Sequence, residues 1–213
     1  MSSPPQLIYC YDPMCSWCWG FQPTWEAMQL QLKPMIERDE LVIQPLLGGL
    51  AIDSDEPMPL DMRARLESTW QQIESSLGTE FNYEFWYRCQ PRRSTYPACR
   101  ACLVARDEGL EREMNASIQH AYYLRASNPS DMDTLTRCAE QVGMQPDSFL
   151  RAMEQVKISA RLEQEVQQAR QMGLNSFPSF ALVANNQILH IDLDYQNPKK
   201  MVAQIQQAAT SSA

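Results

Sequence analysis

The sequence has little of what several common functions require. Only seven of its 213 residues are glycine, and they form no phosphate-binding loop, so a nucleotide site is not expected. The 18 Lys and Arg residues are outnumbered by 26 Asp and Glu residues and form no basic run, so we expect neither a nucleic-acid partner nor a polybasic membrane contact. The two histidines, His120 and His190, lack the spacing of metal ligands.

Long apolar runs and a recognisable secretory leader are also missing. No stretch reaches the roughly 20 apolar residues of a membrane-spanning helix, and the first residues show neither the positive start nor the apolar core of a signal peptide. We therefore expect a cytoplasmic protein that does not enter a membrane. The seven cysteines agree with this expectation, because an odd number of scattered thiols does not resemble an extracellular disulfide framework.

Both ends of the chain combine strand patterns with helices. The expected elements are a strand over Leu7–Tyr11, a helix from near Cys15 toward Glu37, a strand over Leu41–Leu47, a hairpin of Ser179–Val183 with Gln187–Ile191, and a final helix ending near Ala208. Pro23 falls inside the first helix, where a proline removes one backbone hydrogen bond and is expected to kink the axis. Asn185 and Asn186 tolerate positive φ and are expected to form the hairpin turn.

The middle of the chain, from about Pro57 to Gly173, has an almost wholly helical pattern. Apolar residues recur at three- and four-residue spacing in Asp61–Leu77, Ala98–Glu108, Leu110–Ala126, Met132–Val142, Pro146–Gln155 and Ile158–Met172. The order of elements therefore predicts an α/β fold. A strand–helix–strand unit is separated from a strand–strand–helix unit by a large helical insertion.

Two cysteines at the junction of a strand and a helix carry the clearest chemistry. Cys15 and Cys18 follow the first predicted strand and are separated by Ser16 and Trp17. A thiolate rather than a thiol attacks a disulfide, and the N–H groups and partial positive charge at a helix N-terminus stabilise a thiolate. We therefore expect Cys15 to attack a substrate disulfide and Cys18, one turn further on, to resolve the mixed disulfide. Ser16 and Trp17 are expected to tune the redox properties of the pair.

A proline near the other end of the chain suggests a second part of the same site. Ser176, Phe177 and Pro178 directly precede the strand Ser179–Val183. Only about 5–6% of X-Pro bonds in folded proteins are cis, so the proline alone would not indicate one. Together with a Cys-x-x-Cys pair, it leads us to expect a cis Phe177-Pro178 bond beside Cys15. The backbone there would pair with a bound peptide.

With these two segments the chain resembles the DsbA family of the thioredoxin superfamily, and in particular its cytoplasmic, FrnE-like branch. Residues Tyr9–Phe21 are similar to the family's active-site segment, and Phe177-Pro178 matches its cis-proline loop. The resemblance spans essentially the full chain. It implies a thioredoxin-like fold with a large all-helical insertion, in which residues 1–56 and 174–213 form the thioredoxin-like domain and residues 57–173 form the inserted helical domain.

The resemblance also implies a function. It points to a thiol–disulfide oxidoreductase that acts on protein or peptide thiols and disulfides, needs no cofactor and has glutathione as a candidate co-substrate. Cys15 and Cys18 would be its catalytic residues, and Ser176, Phe177 and Pro178 would contact the substrate. Periplasmic DsbA carries Pro-His where this chain carries Ser16-Trp17, which argues against a strongly oxidising role.

A second Cys-x-x-Cys pair is interpreted differently. Cys99 and Cys102 lie on one face of a predicted amphipathic helix, where buried thiols behave as small hydrophobic groups. A resolving role is a weaker alternative. A zinc site shared with Cys15 and Cys18 is weaker still, because a gap of roughly 80 residues is far from a zinc-ribbon spacing.

Two other functions stay open at this point. The inserted thioredoxin fold expected here also resembles that of kappa-class glutathione transferases and 2-hydroxychromene-2-carboxylate isomerases. These enzymes bind glutathione and typically have serine at the position of Cys15. The presence of both Cys15 and Cys18 favours exchange, because exchange requires an attacking and a resolving thiol. A non-catalytic binding or redox-sensing module that holds a partner through its helical block is the third interpretation.

Overall fold

A single four-stranded sheet organises the fold. The structure, a computed structural model, describes residues 4–211. In this part of the chain the strands are β1 Gln6–Tyr11, β2 Val42–Leu47, β3 Ser179–Ala184 and β4 Gln187–Ile191, in the order β2-β1-β3-β4. β1 is parallel to β2 and antiparallel to β3, and β3 is antiparallel to β4. The predicted strand order along the chain and the Asn185-Asn186 hairpin turn are confirmed, with both asparagines at positive φ.

Helices make up most of the remaining chain. Their bounds are α1 Ser16–Glu37, α2 Leu60–Leu77, α3 Phe85–Arg88, α4 Tyr96–Arg106, α5 Glu111–Tyr123, α6 Met132–Gln141, α7 Pro146–Ile158, α8 Arg161–Gln171 and α9 Pro198–Ser211. The helices α2 to α8 all fall between β2 and β3, as the helical pattern predicts. The short helix α3 was not predicted.

The predicted helix bounds differ from the observed ones by up to three residues, and one of these differences has a clear physical cause. Ile158 was expected to begin a helix, but it ends α7, and α8 begins at Arg161. The break lies at Ala160, whose φ of 54° is in the left-handed region. That conformation interrupts the helical hydrogen bonds, and alanine is such a good helix former that the sequence gives no sign of it.

The prolines within regular elements lie where the chain can tolerate them. α1 contains Pro34 as well as Pro23, and it continues over 22 residues. Both prolines are exposed and are not among the residues that α1 buries in the core. Pro45 lies in β2, an edge strand of the sheet, where a missing N–H costs least.

β1 is buried on both faces and leads directly into the reactive segment. Leu7, Tyr9 and Tyr11 belong to the main hydrophobic core on one face. Ile8 and Cys10 belong to a smaller cluster on the other face, which also contains residues from α8 and β3. Because strand β1 is fixed from both sides, the residues that follow it, from Asp12 onward, start from a rigid position.

Candidate active site

The turn between β1 and α1 sets the position of Cys15. This residue is the N-cap of α1, with extended backbone angles φ −81° and ψ 115°. The Asp12 carbonyl oxygen accepts a hydrogen bond from the Cys15 N–H at 3.0 Å, and Asp12 Oδ1 accepts one from the Met14 N–H at 2.8 Å. The predicted placement of Cys15 at the helix start is thereby confirmed.

The two cysteines of the pair differ in their surroundings. Cys18 is fully buried, whereas Cys15 keeps 7% of its surface exposed. Burial, and after it the neighbouring Cys15 sulfur, raises the pKa of the Cys18 thiol well above its ordinary value. The two sulfurs are therefore not equivalent, since only Cys15 borders solvent.

The Phe177-Pro178 loop lies against Cys15. The bond between these residues is cis, as predicted, and the Cys15 thiol donates a hydrogen bond to the Phe177 carbonyl oxygen at 3.3 Å. The Phe177 ring occupies the space beside Gly48, where a Cβ atom would lie 1.8 Å from the ring. Arg170 contacts both sides of this pair. Its guanidinium lies 5.2 Å from the centroid of the Phe177 ring and donates a hydrogen bond to the Gly48 carbonyl oxygen at 3.0 Å.

A cavity of about 330 Å³ opens in front of Cys15. Its lining comprises Met14, Cys15, Ser16, Trp17, Leu50, Met58, Leu66, Thr69, Arg92, Arg93, Thr95, Tyr122, Asn175, Ser176 and Phe177. Five of the seven predicted site residues therefore line the same cavity. The other two, Cys18 and Pro178, are buried and do not line this cavity.

The residues between the two cysteines have separate contacts. The Ser16 hydroxyl accepts a hydrogen bond from the Trp70 indole N–H at 2.9 Å, in a buried environment. Trp17 is half-buried and packs against Tyr195, with ring centroids 5.1 Å apart. Ser16 therefore anchors α1 to α2, while Trp17 forms part of the cavity surface.

Asp12 is the residue around which the site is assembled, and the sequence interpretation gave it no role. Its carboxylate is fully buried. Besides the Met14 N–H, it accepts hydrogen bonds at Oδ2 from the Leu50 N–H at 2.7 Å, the Thr95 hydroxyl at 2.7 Å and the Cys99 thiol at 3.4 Å. Burial raises the pKa of Asp12, and these hydrogen bonds oppose that rise.

The second cysteine pair lies behind this carboxylate. Cys99 and Cys102 are both fully buried in α4, so the prediction that they are buried thiols is confirmed. The hydrogen bond from Cys99 to Asp12 was not predicted. No group of three or more His, Cys, Asp or Glu side chains within residues 4–211 is arranged to hold a metal ion.

Most of the missed lining residues come from the helical part of the chain. Thr95, Arg93 and Tyr122 reach the cavity from positions at least 75 residues from Cys15 along the chain. No local pattern marks them, because their role depends on tertiary packing. Asn175 directly adjoins a predicted segment, and this adjacency was the one signal available for it.

The fold and this pair of cysteines define a thioredoxin-like protein with a helical insertion. A family model described as the DSBA-like thioredoxin domain matches residues 6–206, which is nearly the whole chain. The chain belongs to this family. The expectations of an α/β thioredoxin-like fold and of the DsbA family are therefore confirmed.

A curated relative gives a more distant match. The ClpXP adapter protein SpxH of Halalkalibacterium halodurans is 21% identical over 185 residues, covering 85% of this chain and 60% of the relative. The chain therefore spans 60% of the length of this curated relative.

Solved structures share the fold over nearly their full length. A candidate protein disulfide isomerase from Nitrosomonas europaea superposes with a TM-score of 0.81 at 23% identity, covering 98% of each chain. The cytosolic disulfide reductase DsbM from Pseudomonas aeruginosa gives a TM-score of 0.74 at 22% identity, covering 97% of this chain and 99% of DsbM. DsbM has also been solved with GSH, and that structure gives a TM-score of 0.73 at 21% identity, covering 96% and 99%. Within residues 4–211, no helix combines the length and apolar character needed to cross a bilayer.

Proposed function

We propose that the protein catalyses thiol–disulfide exchange with Cys15 as the attacking and Cys18 as the resolving cysteine. The observation that carries this proposal is the arrangement of the pair. Cys15 borders the cavity and contacts the Phe177 carbonyl oxygen, whereas Cys18 is fully buried one turn behind it. A substrate sulfur in the cavity can reach Cys15 first, and Cys18 can act only on a sulfur already bound there.

The chemistry follows from this order. The Cys15 thiolate attacks one sulfur of a substrate disulfide, so that a mixed disulfide forms and the other substrate sulfur leaves as a thiolate. Cys18 then transfers its proton to a departing thiolate and attacks the Cys15 sulfur. The substrate gains two electrons and becomes a dithiol, while the enzyme loses two electrons and forms the Cys15–Cys18 disulfide. The burial that raises the pKa of Cys18 keeps this thiol protonated until the mixed disulfide forms.

The neighbouring predicted residues have supporting roles in this proposal. Ser176, Phe177 and Pro178 position the substrate backbone beside Cys15, as an added strand pairs with an exposed backbone edge. Ser16 and Trp17 tune the pair, Ser16 through its bond to Trp70 and Trp17 through the apolar surface it places at the cavity.

The direction and the compartment are proposed from the relatives. We infer a cytoplasmic enzyme that works as a reductase of protein or peptide disulfides, because DsbM, which shares the fold, is a cytosolic disulfide reductase. Glutathione is the proposed co-substrate, and the DsbM structure with GSH supports it. Two glutathione molecules would return the Cys15–Cys18 disulfide to the dithiol and leave as glutathione disulfide.

Single cysteine variants test the proposal. We expect Cys15→Ser to abolish insulin reduction, because no attacking sulfur remains at the cavity. Cys18→Ser should accumulate a mixed disulfide on Cys15, detected by mass spectrometry, because the resolving step is lost. Cys89→Ser is the matched control, since Cys89 is half-buried and bonded to Ala126 outside the cavity, and it should retain full activity.

Two outcomes would contradict the proposal. One is insulin reduction by Cys15→Ser at the wild-type rate, and the other is equal alkylation rates for Cys15 and Cys18. A wild-type protein that conjugates glutathione to an electrophile and does not reduce insulin would instead indicate the kappa-class transferase chemistry.

A further inference from the structure

The cavity in front of Cys15 has a charge opposite to that of the chain. The whole sequence has a formal net charge of −8. Among the residues that line the cavity there is no Asp or Glu, whereas two are arginines, Arg92 and Arg93. An arginine at the wall of such a cavity attracts an anionic ligand, provided that its charge is not already paired within the protein.

The two arginines are not equally available. Arg92 donates a hydrogen bond to the Ser130 carbonyl oxygen at 2.9 Å and forms an ion pair with Asp131, so its charge is already compensated. Arg93 is half-buried and has no hydrogen bond or ion pair with any residue between positions 4 and 211. The planar guanidinium of an arginine can bind a carboxylate by donating two parallel N–H hydrogen bonds to its two oxygens.

We propose that Arg93 binds a carboxylate of the substrate and that the cavity selects small thiols and disulfides that carry carboxylates. This inference rests on the proposed exchange at Cys15. A cavity of about 330 Å³ has room for a ligand of roughly two to three amino-acid residues. With the substrate sulfur at Cys15 and a carboxylate at Arg93, the Ser176 hydroxyl and the side-chain oxygen of Asn175 remain for its amide groups, whereas the Thr69 hydroxyl already donates to the Arg65 carbonyl oxygen.

Three disulfides of different charge test this proposal in the same reaction, with dithiothreitol, an uncharged dithiol, as the reductant that returns Cys15 and Cys18 to the dithiol. These are glutathione disulfide, which is anionic, bis(2-hydroxyethyl) disulfide, which is neutral, and cystamine, which is cationic. We expect Arg93→Met to lower kcat/KM for glutathione disulfide about tenfold more than for the neutral disulfide, the size of one charge-assisted contact. Arg93→Lys should recover part of that loss, because the charge returns without the planar guanidinium.

The rate with the neutral disulfide shows how much of the loss in kcat/KM comes from a change at the Cys15 sulfur rather than from a lost carboxylate contact. Any change that Arg93→Met causes in the reactivity of the Cys15 sulfur itself affects all three substrates equally. Arg112→Met is the matched control, because Arg112 is exposed on α5, lies outside this cavity and has no ion pair in the described part of the chain. It should leave all three kcat/KM values unchanged.

A measurement on the wild-type protein completes the test in case the variants fold poorly. S-methylglutathione cannot exchange, and it should slow the alkylation of Cys15, whereas its diethyl ester should not. Equal losses for all three disulfides in Arg93→Met, or equal protection by the acid and the ester, would overturn the inference while leaving exchange at Cys15 intact. A wild-type protein that reduces none of the three disulfides would instead overturn the proposed function.

Discussion

Replacing Ser16 by alanine is expected to lower the free energy of unfolding by about 1–3 kcal/mol, the cost of a buried donor without a partner. The Trp70 indole N–H can only donate, and the Ser16 hydroxyl is the acceptor it contacts, at 2.9 Å. Trp70 is fully buried. Its ring packs against Phe81 and Trp86 at centroid distances of 4.9 and 4.8 Å, so a turn of the indole toward water would break these ring contacts.

A double-mutant cycle separates this effect from the loss of the hydroxyl itself. The variants are Ser16→Ala, Trp70→Phe and both together, and urea unfolding measures the free energy of each. Trp70→Phe removes the N–H group and is itself costly, because it leaves a space in the aromatic cluster. Adding Ser16→Ala to Trp70→Phe should then cost only a few tenths of a kcal/mol, since no unpaired donor is created. If Ser16→Ala costs the same in both backgrounds, the hydrogen bond does not contribute as argued.

Two further predictions concern the residues behind the site. Asp12→Asn should cost about 1–3 kcal/mol in urea unfolding near neutral pH, because an amide must present its NH2 group to at least one backbone N–H that now donates to the carboxylate. Burial raises the pKa of Asp12, so the folded state binds a proton more readily than the unfolded state. The free energy of unfolding of the wild type should therefore rise relative to that of Asp12→Asn as the pH falls. A difference between the two proteins that does not change with pH would contradict this. Cys99→Ala combined with Cys102→Ala should keep most of the insulin reductase activity, and metal analysis of the purified wild type should find no stoichiometric zinc. One zinc per chain that disappears in the double variant would reverse this interpretation.

Local patterns were sufficient to predict the elements that carry the reactive groups. The short apolar run Leu7–Tyr11 placed β1, and the strand-to-helix position of Cys15 placed the N-terminus of α1. The proline at position 178 identified the facing loop only in combination with the cysteine pair. These signals depend on neighbours a few residues apart, which is why the sequence carries them.

The remaining parts of the site depend on distant contacts. The partners of Asp12 come from Leu50, Thr95 and Cys99, 38 to 87 residues away along the chain. The residues next to Asp12 in the sequence therefore show no pattern that would predict a buried carboxylate hydrogen-bonded to the segment after β2 and to α4. The break at Ala160 was missed for a different reason, because the left-handed conformation occurs at a residue that normally favours helix. The domain boundaries near residues 57 and 173 stay a prediction.

The Asp12 carboxylate has a mechanical consequence for the protein. By accepting from Met14, Leu50 and Thr95 it connects the reactive turn, the segment after β2 and the residue that precedes α4. Rotating the helices away from the sheet would break several of these buried bonds together and leave a carboxylate without partners. Hinge opening is therefore a costly motion for this protein. The cleft should meet its substrate as a preformed shape, and capture should be governed by diffusion and fit rather than by a gating step.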